Sequence, residues 1–276
     1  MERVGLVGVG AMGSALLERL KFAGVQAVVY DIDSAALENA RAAGAEIAES
    51  VAAVARASGV VDVVVRSDDE VLQCALGPDG IIENIASGSL VILHSTILPE
   101  TTRRVAVEAA KRNVHVIDAC MLGVPRAVRN GQLKFLVGGP DEISERARVH
   151  LLRMGKQVIH MGPVGSGNAA KLIKNLTSGA ETLMIHEALQ LGEAAGIHFP
   201  QVLEMLQEVE SERLLDRWQT IFDPASDKPS PRLGRNVFQK DIPLAGELAE
   251  KLGVKLPIIK QLAAAAKRLS KPKRKS

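Results

Sequence analysis

Residues 4–13, V-G-L-V-G-V-G-A-M-G, constrain this chain more than any other stretch. Gly8, Gly10 and Gly13 form a G-x-G-x-x-G pattern. An apolar run, residues 4–9, leads into it as a buried strand. A helical pattern follows, carried by Met12, Ala15, Leu16, Arg19 and Leu20 and stopped by Gly24. Gly8 permits the tight turn, Gly10 lets a pyrophosphate approach the backbone, and Gly13 lets helix and strand pack closely. The helix start offers N–H groups and partial positive charge to the phosphates. A second strand, Ala27–Tyr30, ends at Asp31, eighteen residues past Gly13, where an acid is expected to meet a ribose hydroxyl. A glycine-rich turn alone says little. Strand, turn, helix and acid in this order predict a dinucleotide-binding unit.

The pattern then alternates. Residues 34–43 and 50–57 read as helices, and residues 60–65 as a β-branched buried strand. Arg66-Ser67-Asp68-Asp69 opens a helix whose acidic first turn suits the dipole. Residues 90–93 form a strand, followed by His94-Ser95-Thr96-Ile97-Leu98-Pro99 and a helix over 100–112 that Pro99 starts. A strand over 114–117 ends at Asp118. Strands over 133–137 and 157–160 flank a helix over 141–154. Such alternation predicts a doubly wound parallel sheet, with ligands outside the carboxyl ends of the strands. Residues 8–13, Asp31, 66–69, 94–96 and 118–126 therefore collect the candidate chemistry.

Alternation ends at Gly162-Pro163. A long helical pattern runs to about Gly196, and residues 200–209, 211–222, 240–252 and 256–269 also read as helices, with a Pro/Asp/Ser-rich loop over 223–231. The expected fold is α/β: a Rossmann dinucleotide-binding domain at 1–162 and an all-helical substrate and dimerisation domain at 163–276, joined by the long helix.

Composition bounds the partners. With 276 residues, 47% of them apolar, the chain can bury large cores without staples. Cys74 and Cys120 stand in no metal-binding or redox spacing, so no metal site is expected and a reducing compartment fits. No apolar run reaches membrane-spanning length, and the opening strand leaves no room for a targeting segment, so a cytoplasmic location is expected. Lys267, Arg268, Lys271, Lys273, Arg274 and Lys275 read as a solvated basic tail rather than a nucleic-acid site.

The long helix begins G-S-G-N-A-A-K-L-I-K-N, residues 165–175. Lys171 and Asn175, at i and i+4, share one face, where an ammonium beside an amide can hold and protonate a substrate oxygen. With this block in place the chain resembles the β-hydroxyacid dehydrogenase family (3-hydroxyisobutyrate dehydrogenase-like, related to 6-phosphogluconate dehydrogenase). Four blocks in order carry the resemblance over nearly the whole length. They are the glycine turn with Met12; Ser95-Thr96 with Pro99; Asp118-Ala119 with Gly123, Gly131, Leu133, Val137, Gly138 and Gly139; and Gly165, Gly167, Lys171 and Asn175, followed by Lys240-Asp241 and Leu244-Ala245.

The resemblance implies roles. Gly8, Gly10, Ala11, Met12, Gly13 and Asp31 would hold the dinucleotide, with Ser67, Thr96 and Lys240 also on the cofactor. Lys171 would be the general acid/base, Asn175 would hold substrate, and Leu122, Gly123 and Lys240 would line the substrate site. A homodimer or higher homo-oligomer is implied. Asp31-Ile32, in place of the Asn-Arg of NADP users, favours NAD over NADP, because a carboxylate repels a 2′-phosphate.

The chain also departs from the family. Cys120-Met121-Leu122-Gly123-Val124-Pro125 puts Leu122 where the family has a substrate-binding serine, which argues for a less polar or larger substrate, with Arg126 as an alternative anion contact. The same stretch is similar to the imine reductases, although those generally lack the lysine found here as Lys171. The expectation is an NAD-dependent oxidoreductase acting on a hydroxy acid or the matching aldehyde or keto acid. An imine reductase-like enzyme and a non-catalytic dinucleotide-binding regulator are the alternatives. Trp218 and His186 are further pocket candidates, with core or surface placement the plainer expectation.

Overall fold

The computed structural model describes residues 3–209, 237–254 and 257–269. The chain divides into two compact units, Met1–Lys171 and Leu172–Ser276.

In the first unit eight strands form one sheet: β1 (Val4–Val7), β2 (Ala27–Tyr30), β3 (Glu46–Ile47), β4 (Val60–Val63), β5 (Leu90–Leu93), β6 (His115–Leu122), β7 (Lys134–Gly138) and β8 (Gln157–Gly162). Between them run α1 (Ala11–Phe22), α2 (Ser34–Ala42), α3 (Val51–Arg56), α4 (Asp68–Leu76), α5 (Ile81–Asn84), α6 (Pro99–Ala110), α7 (Pro125–Arg129) and α8 (Asp141–Met154). The sheet order is β3-β2-β1-β4-β5-β6-β7-β8. The order reverses between β1 and β4, and that switch point is where an α/β sheet opens a crevice for a ligand.

Alternate strand residues feed two cores, one on each face. Val61, Val63, Val91 and Leu93 pack with Val71, Ile81 and Val105 on the α3–α6 face. Val60, Leu90, Ile92 and Ile117 pack with Leu16, Leu20, Phe135 and Leu151 on the α1–α8 face. Local chemistry fixes the helix starts: Asp33 and Ser50 accept from the backbone of Ala35 and Ala53, and Pro99 opens α6.

The sheet departs from the expected all-parallel pattern at one pair, β6–β7, which is antiparallel. The reason is length: only residues 123–133 connect them, too few for a crossover, which takes a dozen or more. The strand predicted to end at Asp118 continues through Ala119-Cys120-Met121 to Leu122, and the strand predicted to reach residue 65 ends at Val63. The short elements β3, α5 and α7 carry too little periodicity to be read in advance.

A long helix, α9 (Ser166–Ala194), leads from the first unit into the second, which continues with α10 (Phe199–Val209), a π-helical turn over Val237–Asp241, α11 (Ile242–Lys251) and α12 (Pro257–Leu269). Among the described residues the second unit has no strand. Its core includes Leu183 and Ile242, packed with Leu262 and Ala263. The helix predicted over 211–222 and the loop over 223–231 lie outside the described residues. No helix among the described residues is long and apolar enough to cross a membrane.

Candidate active site

The glycine turn has the close packing its sequence requires. Gly8 has φ +93°, and its N–H bonds the Tyr30 carbonyl at 2.9 Å. A methyl group on Gly13 would come within 2.0 Å of the Gly8 carbonyl oxygen, so helix and turn touch backbone to backbone. Gly10 differs: a methyl group there would meet no atom within 4 Å. Gly10 caps α1 without a side-chain acceptor, so the first N–H groups of the helix receive no bond from the cap residue's side chain. The arrangement fits a phosphate cradle, with Ala11 and Met12 in the first turn.

Beside it lies a cleft of about 590 Å³, lined from the ends of β1, β2 and β4 and by α4. Asp31 stands on its wall. One of its oxygens accepts from Val9 N at 2.7 Å and the other from Asp33 N at 2.9 Å, so the carboxylate anchors the glycine turn to the end of β2. Asp33, Asp69 and Glu70 add acidic character, and Arg66 is paired with Glu70 at 3.2 Å. Ile32 at the lip is exposed. Ser67 is engaged locally: its hydroxyl caps α4 by accepting from Glu70 N. Cys74 also lines the cleft. Burial, then Glu70 and Asp31, push its thiol up to about 11, which favours the protonated form.

The turn after β5 is tied down through Ser95, whose hydroxyl donates to Val65 O at 2.7 Å and accepts from Val65 N at 3.2 Å. Thr96, the next residue, is half-buried. At the end of β6, Leu122 is half-buried opposite Lys134, and Gly123 is exposed with φ +150°. Arg126 is exposed.

Lys171 comes to this same strand end. Its Nζ donates to the Met121 carbonyl, and the side chain is half-buried. Asp118, on β6, holds the start of α9: its two oxygens accept from Gly165 N and Asn168 N, each at 2.7 Å. Burial raises the Asp118 carboxyl to about 6, against the pull of these backbone donors. Asp118, expected at a strand end among the ligand-facing segments, sits within β6, and its carboxylate is spent on α9.

The second unit contains its own polar cluster. Asn175, one turn beyond Lys171 on α9, donates to Asp241 Oδ2 at 2.7 Å, and both residues are buried. Lys240 Nζ lies 3.7 Å from Asp241 Oδ1, and the π-helical turn carries both residues. Asp241, which follows Lys240 in the sequence, orients Asn175. His186 is buried in α9. Trp218 and the tail from Lys271 lie outside the described residues. Among the described residues no cluster could hold a metal ion.

A glycine turn at the switch point of a doubly wound sheet, beside a cleft walled by an acid, is the arrangement of a dinucleotide-binding fold. Residues 3–162 match the family model for the NAD-binding domain of 6-phosphogluconate dehydrogenase. Residues 165–275 match the model described as the NAD-binding domain of NADP-dependent 3-hydroxyisobutyrate dehydrogenase. The chain belongs to the β-hydroxyacid dehydrogenase family. It is similar to an NAD-dependent L-serine dehydrogenase of Pseudomonas aeruginosa, 30% identical over 91% of this chain and 86% of that protein. It is also similar to a 3-hydroxyisobutyrate dehydrogenase of the same organism, 31% identical over 94% of this chain and 89% of the relative. A solved Mycobacterium tuberculosis 3-hydroxyisobutyrate dehydrogenase with L-serine shares the fold, with a TM-score of 0.87 at 23% identity, covering 98% of this chain and 94% of that one.

Proposed function

We propose that this dehydrogenase uses NAD to oxidise a 3-hydroxy acid, or reduces the matching aldehyde, with Lys171 as general acid/base. The observation that carries the reading is the Lys171 amine, held by the Met121 carbonyl at the carboxyl end of the sheet. The bound nicotinamide supplies the site that takes or gives the hydride. Lys171, as the free amine, accepts the substrate hydroxyl proton; in the reverse direction its ammonium stabilises the growing negative charge on oxygen and protonates it. In the second unit, Asn175, whose amide is held by Asp241, and Lys240 are the candidates for contact with the substrate. The backbone N–H groups at Leu122 and Gly123 take the place of the missing serine hydroxyl.

The cleft supports NAD over NADP. A 2′-phosphate beside Asp31 and Asp33 would meet like charge, and Ile32 offers it no cation. The two named relatives act on L-serine and 3-hydroxyisobutyrate, both 3-hydroxy acids, which directs the substrate choice. In this reading residues 1–162 bind the dinucleotide, and residues 163–276 serve substrate binding and assembly into a homodimer or larger oligomer.

The test follows cofactor absorbance with NAD⁺ and NADP⁺ against 2- and 3-hydroxy acids, and with NADH and NADPH against aldehydes and cyclic imines. Turnover of a hydroxy acid that falls about 10³-fold or more in Lys171→Ala supports the reading. Full turnover in the variant sinks the acid/base role. NADPH-linked reduction of cyclic imines alone establishes imine chemistry instead. NADH binding with no turnover in any assay identifies a non-catalytic binder.

A further inference from the structure

Asn168 is fully buried in the first turn of α9, and it ties that turn to three other parts of the first unit: β6, α6 and the turn after β5. Its Nδ2 donates to the Ser95 carbonyl at 2.9 Å and to Cys120 Sγ at 3.1 Å. Its Oδ1 accepts from the Thr102 hydroxyl at 2.7 Å, and its backbone N–H donates to Asp118 at 2.7 Å. The orientation of the amide is fixed by chemistry, since the Ser95 carbonyl can only accept. Only an amide offers two donors and an acceptor at this reach. An alanine would leave the Thr102 hydroxyl and the Ser95 carbonyl short of a partner in the core.

The neighbours of these contacts matter. Ser95 precedes Thr96. Cys120 precedes Met121, whose carbonyl receives the Lys171 amine. Lys171 itself lies three residues beyond Asn168, on the same helix face. One side chain thus sets the height of α9 against β6 and, in the same stroke, the position of the Ser95–Thr96 turn.

We propose that Asn168 is a positioning residue that locks the Ser95–Thr96 turn and the Lys171 amine into one frame, so that the proton-handling group and the turn beside it keep their spacing. The proposal rests on the acid/base reading of Lys171. A misplacement of about 1 Å at a reacting group costs about a hundredfold in rate, which sets the effect to look for.

The experiment uses the full-length enzyme with Asn168→Ala and, as a milder second variant, Thr102→Val, which removes one bond to Asn168 and touches neither Lys171 nor Thr96. Lys171→Ala runs alongside. Steady-state kinetics use the best hydroxy acid from the panel. In parallel, acetylation of Lys171 is timed by peptide mass spectrometry on cofactor-free protein, with Lys111 as the surface reference. Asn168→Ala is expected to lower kcat roughly ten- to a hundredfold, with KM for NAD changed less than about threefold. Thr102→Val is expected to act in the same direction at about three- to tenfold. In both, the labelling rate of Lys171 relative to Lys111 is expected to change while the folded fraction is unchanged.

Wild-type kcat in both variants overturns the proposal. So does a loss of activity that only follows loss of folded protein, with Lys171 labelled at the wild-type rate; Asn168 is then a packing residue. Full turnover in Lys171→Ala removes the acid/base reading, and this proposal with it. Loss in Lys171→Ala beside normal Asn168→Ala and Thr102→Val removes the positioning role alone.

Discussion

Asp62 and His94 face each other in the buried interior, Oδ1 to Nε2 at 2.8 Å, across the adjacent strand ends of β4 and β5. His150 from α8 reaches the other oxygen of Asp62 at 2.7 Å. Burial alone would raise the Asp62 carboxyl; His150 and His94 outweigh it and hold Asp62 well below the usual carboxylate range. Removing the carboxylate leaves two imidazoles buried against a poor partner. Asp62→Ala is expected to cost about 3–5 kcal/mol in urea unfolding at pH 7. Because the folded value lies below the unfolded 3.8, the contribution is complete above about pH 5 and fades as pH falls through 3.8 and below. The wild type should therefore lose stability more steeply than the variant under acid. Parallel acid limbs would refute the assignment.

Asp118 works with the opposite sign. Its folded value, about 6, lies above the unfolded 3.8, so the folded chain takes up this proton more readily. Lowering the pH from about 6 to 4 should then add stability from this group, on the order of 3 kcal/mol at most. Asp118→Asn removes the titration and leaves an amide facing two N–H donors. The variant is expected to be less stable at pH 7 and to lack the gain between pH 6 and 4. Urea midpoints taken in half-unit steps of pH check both points, and a variant that keeps the wild-type gain would refute the reading.

Much of this arrangement was legible in the sequence, because period and punctuation are local. The glycine turn, Asp31, the helix over 141–154 and the long helix behind Gly165 all announce themselves within a few residues. What depends on distant partners leaves no such local mark. Asp62, His94 and His150 are 32 and 88 residues apart along the chain, and nothing local marks Asp62 as more than a polar residue in a strand. Nothing within G-S-G-N-A-A-K marks Asn168, since its partners Ser95, Thr102 and Cys120 come from elsewhere. The continuation of β6 to Leu122 was hidden too: Ala119-Cys120-Met121-Leu122 is apolar throughout, which suits a strand or a buried turn equally.

Asp31 holds the glycine turn, and on the proposed reading it also receives the ribose; two sets of substitutions separate these roles. Its carboxylate supports the glycine turn through Val9 N and stands where a ribose is expected. Asp31→Ala is therefore expected to raise KM for NAD⁺ by about ten- to a hundredfold without creating useful NADP⁺ turnover, because turn and charge are lost together. Asp31→Asn with Ile32→Arg keeps an acceptor for Val9 N and adds a cation for a 2′-phosphate. It is expected to shift the NADP⁺ to NAD⁺ ratio of kcat/KM upward by at least about tenfold. An unchanged ratio in the double variant would show that selection lies elsewhere in the cleft.

Gly10 and Gly13 differ in what lies over them, so the same substitution should have separable effects. At Gly13 a methyl group would sit 2.0 Å from the Gly8 carbonyl oxygen, backbone that cannot yield without moving α1. Gly13→Ala is expected to destabilise the fold by about 2–3 kcal/mol and to lose NADH binding as a consequence. At Gly10 the protein offers a methyl group no neighbour within 4 Å, and its φ of −63° suits any residue. Gly10→Ala should unfold within about 0.5 kcal/mol of the wild type, yet raise the Kd for NADH at least about tenfold, since on the cradle reading the pyrophosphate fills that space. Urea unfolding paired with fluorescence titration of NADH reads both quantities on each variant. If Gly10→Ala binds NADH as the wild type does, the pyrophosphate lies elsewhere and the cradle assignment falls, however well the turn resembles one.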